Sequence, residues 1–238
     1  MKRLMPIFIV ILLSGCGILT AYAPNMLSMI VVAVMGVVVL LGIIYGLIPV
    51  LTFTQGLLTG QKSIQRASEA EEKSVWITAL QMDRFFRQKK MDQLFREYRD
   101  KVKQQRQNGQ IVSDLEDILN EDVLALYSWQ GVVAQIPGTL TGLGILGTFI
   151  GLLRGLRNIN FVTVEAALSS VQSILTGIDI AFYTSIAGVI LSILFNISNN
   201  ILRNTMDREM GIFLEVFHRV VLPTTQEQER YRSRRETR

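Results

Sequence analysis

"GLGILGTFIGLLRGL", residues 142–156, has a glycine at nearly every helical turn and is apolar enough to lie in a bilayer. In water, each glycine inside a helix costs about 1 kcal/mol relative to alanine. In lipid no hydrophobic force drives helices together, and small residues four apart let two backbones approach closely. Gly147, Gly151 and Gly155 have that spacing, and Gly138 and Gly142 extend the ridge toward the amino end. An ordinary polytopic protein uses such a ridge only for packing, so the polar residues around it must decide what it serves.

Four apolar runs frame this stretch, at residues 4–23, 27–51, 132–157 and 170–202. Each reaches the roughly 20 residues needed to cross a bilayer. In a chain of 238 residues, 49% of them hydrophobic, this predicts an all-α integral membrane protein. Four transmembrane helices are expected, three if the amino terminus is processed, with helical cytoplasmic extensions. The expected organisation is a first span or signal-like segment at 1–26 and a second span at 27–59. A cytoplasmic helical segment at 60–131, paired membrane helices at 132–202 and a cytoplasmic helix with a basic tail at 203–238 follow.

The net charge of +4 is not nucleic-acid affinity once the basic residues are placed. Lys2 and Arg3 open the chain, twelve Lys and Arg lie between Lys62 and Arg106, and eight lie from Arg203 onward. The positive-inside rule puts all three groups in the cytoplasm, and both termini with them. Two short turns, near Ala23-Pro24-Asn25 and at 158–168, are left outside. The one cysteine excludes an internal disulfide and any multi-cysteine metal site. It closes Leu13-Ser14-Gly15-Cys16, which has the look of a lipoprotein processing site, so Cys16 is a candidate for lipidation. The apolar run continues through Gly17-Ile18-Leu19, which favours an uncleaved span.

In the cytoplasmic segment Met91, Leu94, Phe95, Tyr98 and Val102 recur at helical spacing. Asn108-Gly109 should stop that helix, and Ser113-Asp114-Leu115-Glu116 reads as a capping-box start for the next. Leu115, Ile118, Leu119, Val123 and Leu126 then form its apolar stripe. After the fourth span Met206, Met210, Phe213, Phe217 and Val220 hold one helical face as far as Pro223. The lone His218 is expected to be a surface or packing residue. The end, "QEQERYRSRRETR", is too polar to bury. No phosphate loop, metal cluster, cofactor motif or nucleophile with a base appears, so an enzyme is not expected.

Two acidic residues lie away from the cytoplasmic segments: Glu165, in the expected outer turn, and Asp179, inside or at the mouth of the fourth span. An ionisable group in a span costs about 2.5 to 3.5 kcal/mol on the insertion scale, so it usually faces water or a partner. Asp179 is therefore either functional or an interfacial carboxylate paired with Arg154 or Arg157. Thr148 in the glycine ridge and Tyr183-Thr184-Ser185 in the fourth span form a second signal. Buried hydroxyls most often bond the carbonyl one turn back, but on adjacent spans they can line a polar path.

These residues carry a resemblance. "TGLGILGTFIGLLRGL", a short turn and "LTGIDIAFYTSIAGVILSILFN" resemble the paired pore helices of the MotA/TolQ/ExbB proton-channel family. The likeness covers residues 130–200 by motif and most of the chain by topology. "AFYTSIAG" is also similar to the wording of the ZorA motors of anti-phage defence, whose members usually carry a long cytoplasmic tail.

The resemblance implies a stator-type subunit of a rotary motor in the bacterial inner membrane. Such subunits form a homo-oligomer, a pentamer, around a MotB/TolR/ExbD-like single-span partner whose Asp carries the proton. Thr148 takes the place of the pore threonine in the first pore helix, and Ser185 that of the second, with Gly188 three residues on. Thr184 and Asp179 join them as ion-path candidates, Asp179 one position from the glutamate of ExbB-like members. Thr141 stands where many members have proline, and Pro137 lies one turn earlier. Sodium in place of protons, the process driven and the completeness of the chain stay open at this point. The rival reading is a membrane scaffold that uses Gly147, Gly151, Gly155 and Gly188 for packing only; a small-solute transporter lacks its expected broken helices.

Overall fold

The computed structural model describes residues 5–69, 82, 84–108, 110, 112–157, 159 and 162–222. Lys2, Arg3, Gly109, Pro223 and the basic tail lie outside the described residues. Every regular element among the described residues is helical. In chain order they are α1 (Met5–Ala21), α2 (Met26–Gly42), a π-helical turn (Ile43–Leu47), α3 (Ile48–Glu69) and α4 (Lys89–Gln107). A 3-10 turn (Leu115–Asp117), α5 (Glu121–Tyr127), α6 (Gln130–Val133), α7 (Ile136–Leu156) and α8 (Val164–Val220) complete the order.

Among the described residues, three helical stretches are long and apolar enough to cross a membrane: Met26–Arg66, Gln130–Leu156 and Val164–Val220. The 17 residues of α1 reach only about 25 Å at 1.5 Å per residue, short of the roughly 30 Å hydrocarbon core. The four expected spans thus become three of full length and one shorter apolar helix. The helix begun at Met26 runs on through the π turn to Glu69 with no break at residue 59. Pro49 accounts for the widened turn, since it has no N–H to give the Tyr45 carbonyl four residues earlier. At the other end α8 starts at Val164, so Glu165 stands in the first turn of a helix rather than in a loop.

The described residues form two compact units. The first comprises the described residues within 5–48 and 129–202. In it α1 packs on α2, and α2 packs on α7. Close approach at Gly42 seats Ile136 and Phe195, and at Gly46 it seats Val133. Contact between α1 and α8 runs through Gly15 with Leu194 and through the Tyr183 hydroxyl, which donates to the Leu19 carbonyl. Carbonyls in the last turn of a helix have no partner of their own, so Tyr183 closes the end of α1. Large apolar side chains such as Val10, Val37, Phe149, Leu153 and Phe182 stay exposed on this unit, as lipid-facing or partner-facing surfaces do.

The second unit comprises the described residues within 49–128 and 203–222. Its centre is aromatic: Phe85 stacks on Phe95 at 4.5 Å, and Phe86 meets Phe213 edge-on at 5.2 Å. Tyr98 and Phe217 complete the cluster. The buried side chains of α4 include Met91, Leu94, Phe95, Tyr98 and Val102, and the buried aspartate Asp92 accepts from the Phe86 N–H at 2.8 Å. Tyr98 donates to the Ser113 carbonyl at 3.1 Å; burial, then Asp114 and Asp117, push its phenol above the ordinary tyrosine range.

The expected capping box is not formed. Ser113 is held by Gln105, which bonds both its N–H and its hydroxyl. Asp114 caps only the 3-10 turn, and Asn120 caps α5 by accepting from the Val123 N–H at 3.0 Å. The stripe shifts accordingly: Leu115, Leu119 and Leu124 are buried while Leu126 is exposed.

Candidate functional site

The contact between α7 and α8 is made of backbone. The buried stripe of α7 is Ile136, Leu140, Gly144, Gly147, Gly151 and Gly155, stepping by four except for one step of three. Against it α8 sets Gly177, Ala181, Thr184 and Gly188. A Cβ at Gly177 would stand 2.5 Å from the Gly151 carbonyl oxygen and 2.7 Å from Gly155 Cα; one at Gly188 would stand 2.7 Å from the Leu140 carbonyl oxygen. Since Gly155 meets Gly177 and Leu140 meets Gly188, the two helices run antiparallel. Gly144 and Gly177 carry as much of this contact as the glycines singled out by spacing. Gly138 and Gly142 have nothing within 4 Å and lie off the ridge.

Each residue of an α-helix turns about 100° from the last, and that divides the surroundings of this pair into two flanks. One flank is covered by α1 and α2, through Leu194, Tyr183 and Ile136. Thr148 lies on the other, and its hydroxyl donates to the Gly144 carbonyl at 3.1 Å and across to the Ala181 carbonyl at 3.3 Å. Ser185, one residue past the buried Thr184, points to the same open flank, half-buried. Thr184 itself is inside the helix contact, packed on Gly147 and bonded to the Ile180 carbonyl at 2.9 Å.

Three further polar residues share the open flank; the reading by motif noted Thr141 only as a departure from the family's proline and passed over the other two. Thr141 is seven residues before Thr148, Ser192 is seven after Ser185, and Asn196 is one turn further on. Two turns of helix return a side chain to within about 20° of its starting direction, so seven-residue spacing of hydroxyls was the available signal. Along the antiparallel pair Thr148, Ser185, Thr141, Ser192 and Asn196 follow one another over about 20 Å of the axis, at alternating steps of roughly 3 and 6 to 8 Å. The first four alternate between the helices. A file of hydroxyls at that spacing, with water between them, can relay protons or strip part of an ion's hydration shell without any fixed charge.

Asp179 is not on this flank. It is exposed on the side of α8 turned away from α7, and among the described residues it pairs with neither Arg154 nor Arg157. The in-chain pairing that was one of its two readings is therefore not made. Cys16 lies inside α1 as a free, half-buried thiol. His218 places Nδ1 2.6 Å from Asp114 Oδ2, an exposed pair that helical spacing alone gives no means of seeing. No group of three His, Cys, Asp or Glu among the described residues is arranged to hold a metal.

Residues 12–205 match the family model described as "Anti-phage protein ZorA, Zorya type I system". The chain belongs to the ZorA-like family. A 60-residue stretch is 45% identical to the Zorya protein ZorA of one Escherichia coli strain and 43% identical to that of a second. This stretch is 25% of the chain but only 10% and 8% of those two proteins, so the similarity spans a tenth or less of their length. ZorA proteins are MotA/ExbB-like, in keeping with the motif of the paired helices.

Proposed function

We propose that the chain is the ion-conducting subunit of a stator-type motor in the bacterial inner membrane, driven by the proton-motive force and serving anti-phage defence. Copies form a ring, a pentamer, around a single-span partner whose carboxylate carries the proton. Four helices of each copy lie in the membrane, the short α1 among them, with both termini in the cytoplasm. Each proton crossing delivers about 2.3 kcal/mol per 100 mV. The chain binds no cofactor and catalyses no covalent step.

The observation that carries this reading is the hydroxyl file on the open flank. Thr148, Ser185, Thr141, Ser192 and Asn196 stand on the flank of the α7 and α8 pair opposite α1 and α2, and face the interior of a ring that keeps α1 and α2 on its outside. Close backbone packing of the pair gives that ring a thin, stiff wall.

A scaffold role has one observation in its favour, because the Thr148 hydroxyl is already satisfied by two backbone carbonyls. The test is reconstitution of the chain with its single-span partner in liposomes under a pH gradient, beside phage protection in cells. Thr148→Ala combined with Ser185→Ala should abolish most proton flux and protection while the assembly keeps its mass. Unchanged flux and protection in that double variant would leave the scaffold reading standing. Flux that follows sodium rather than pH would change the ion and keep the path.

A further inference from the structure

The two helices carry an unpaired surface on each outer side, and the two surfaces bear opposite charges at similar height. On α8 the side turned away from α7 is apolar through Phe182, Ile186 and Ile193, all exposed, is interrupted by Asp179, and continues beyond it through the exposed Leu175 and Leu168. On α7 the side turned away from α8 is apolar through Leu146, Phe149 and Leu153, equally exposed, and is crowned by Arg157, with Arg154 one turn below toward the flank.

Because Gly155 meets Gly177, Arg154 lies about 2 Å and Arg157 about 6 Å beyond Asp179 along the pair. Helical side chains lean toward their own amino terminus. In an antiparallel pair the arginines lean down toward the level of Asp179, and Asp179 leans up toward theirs, which closes the offset. Within one chain the two charges face opposite ways and cannot meet.

We infer that Asp179 pairs across a copy-to-copy contact with the arginines ending α7 of the neighbouring copy, clamping the outer rim of the assembly. The occupant is a second copy because one chain supplies both halves: an apolar ridge interrupted by a single carboxylate, and an apolar ridge with guanidinium groups at a similar height. A head-to-tail contact of this kind repeats around an axis and closes into a ring. This assigns Asp179 to assembly and keeps it off the ion path. The inference rests on the ring proposed above.

The test is charge reversal in the full chain, read by native mass spectrometry after mild extraction from membranes. Asp179→Arg should lower the recovered oligomer about tenfold or more, since removing one partner of a desolvated charge pair weakens a contact by several kcal/mol. Adding Arg157→Asp or Arg154→Asp to that chain should restore it.

A second readout covers a variant that fails to fold: copies bearing Asp179→Cys and copies bearing Arg157→Cys, both with Cys16→Ser, should be joined by a short bis-maleimide. Wild-type oligomer with a harmless Asp179→Arg, or with reversals that never rescue and cysteines that never cross-link, would overturn the inference alone. A wild-type chain that stays monomeric under mild extraction would remove the ring and the inference together.

Discussion

The two units of this chain solve the packing problem in opposite ways. In the second, Phe85, Phe86, Phe95, Tyr98, Phe213 and Phe217 fill space with aromatic volume, as a core built in water does. In the first, Gly144, Gly147, Gly151 and Gly155 remove side-chain volume so that α7 and α8 touch backbone to backbone. Water rewards buried apolar area; lipid offers no such reward, and what remains is close van der Waals contact. The same hydrophobic content thus signals a core in one unit and an outer surface in the other.

Substitutions can break that contrast. The largest effect is expected from Gly177→Leu, because the atoms met by a new side chain are the Gly151 carbonyl and Gly155 Cα, which cannot move aside as a side chain can. Folded protein should be lost from the membrane fraction, as judged by gel filtration in detergent; a normal monodisperse peak would show that the helices can part. Phe95→Ala comes next. Its ring stacks on Phe85 and is fully enclosed, so truncation should cost the second unit about 3 to 5 kcal/mol, seen as a lower unfolding midpoint.

A smaller and sharper test compares two alanines on one helix. Gly151→Ala meets the Gly177 carbonyl and the Ala181 N–H, whereas Gly142→Ala meets nothing within 4 Å. The first should lower the thermal midpoint of the extracted protein and the second should leave it unchanged or raise it. Equal behaviour would mean that spacing, rather than contact, describes this ridge.

Much of this contrast was legible in the residue pattern, and the failures have physical causes. Helical periodicity identified every apolar residue of the buried face of α4, because five large apolar residues at regular spacing admit one face only; the buried Asp92 was not among them. The glycine ridge was read in steps of four from Gly155 back to Gly147, then extended by a step of five to Gly142. A straight helix closes two turns in slightly more than seven residues, so a ridge mixes steps of three and four, which is why Gly144 belongs and Gly142 does not. Gly177 was invisible because a glycine declares itself by what approaches it. Asp179 was recognised as unusual from its depth, but depth does not give azimuth, and the azimuth of α8 depends on α7 and α1. Asn120 displaced the expected cap at Ser113 because Gln105 had already engaged that serine from α4, a long-range contact.

The mildest prediction concerns charge in the second unit. Asp207 sits 3.9 Å from Arg203, yet its carboxyl is pushed above the ordinary aspartate value. Burial is the main cause and the nearby Glu121 the next, with Arg203 opposing both. A carboxyl with a raised value in the folded state binds its proton more tightly there than in the unfolded chain. Folding is therefore favoured at pH below the unfolded value, and that contribution is lost as pH rises through the raised one. At neutral pH Asp207 should oppose folding slightly, and Asp207→Asn should raise the unfolding midpoint by a small amount that vanishes in acid, where both side chains are neutral. A lower midpoint at neutral pH in the asparagine variant would mean that the pairing with Arg203 outweighs burial and the repulsion from Glu121.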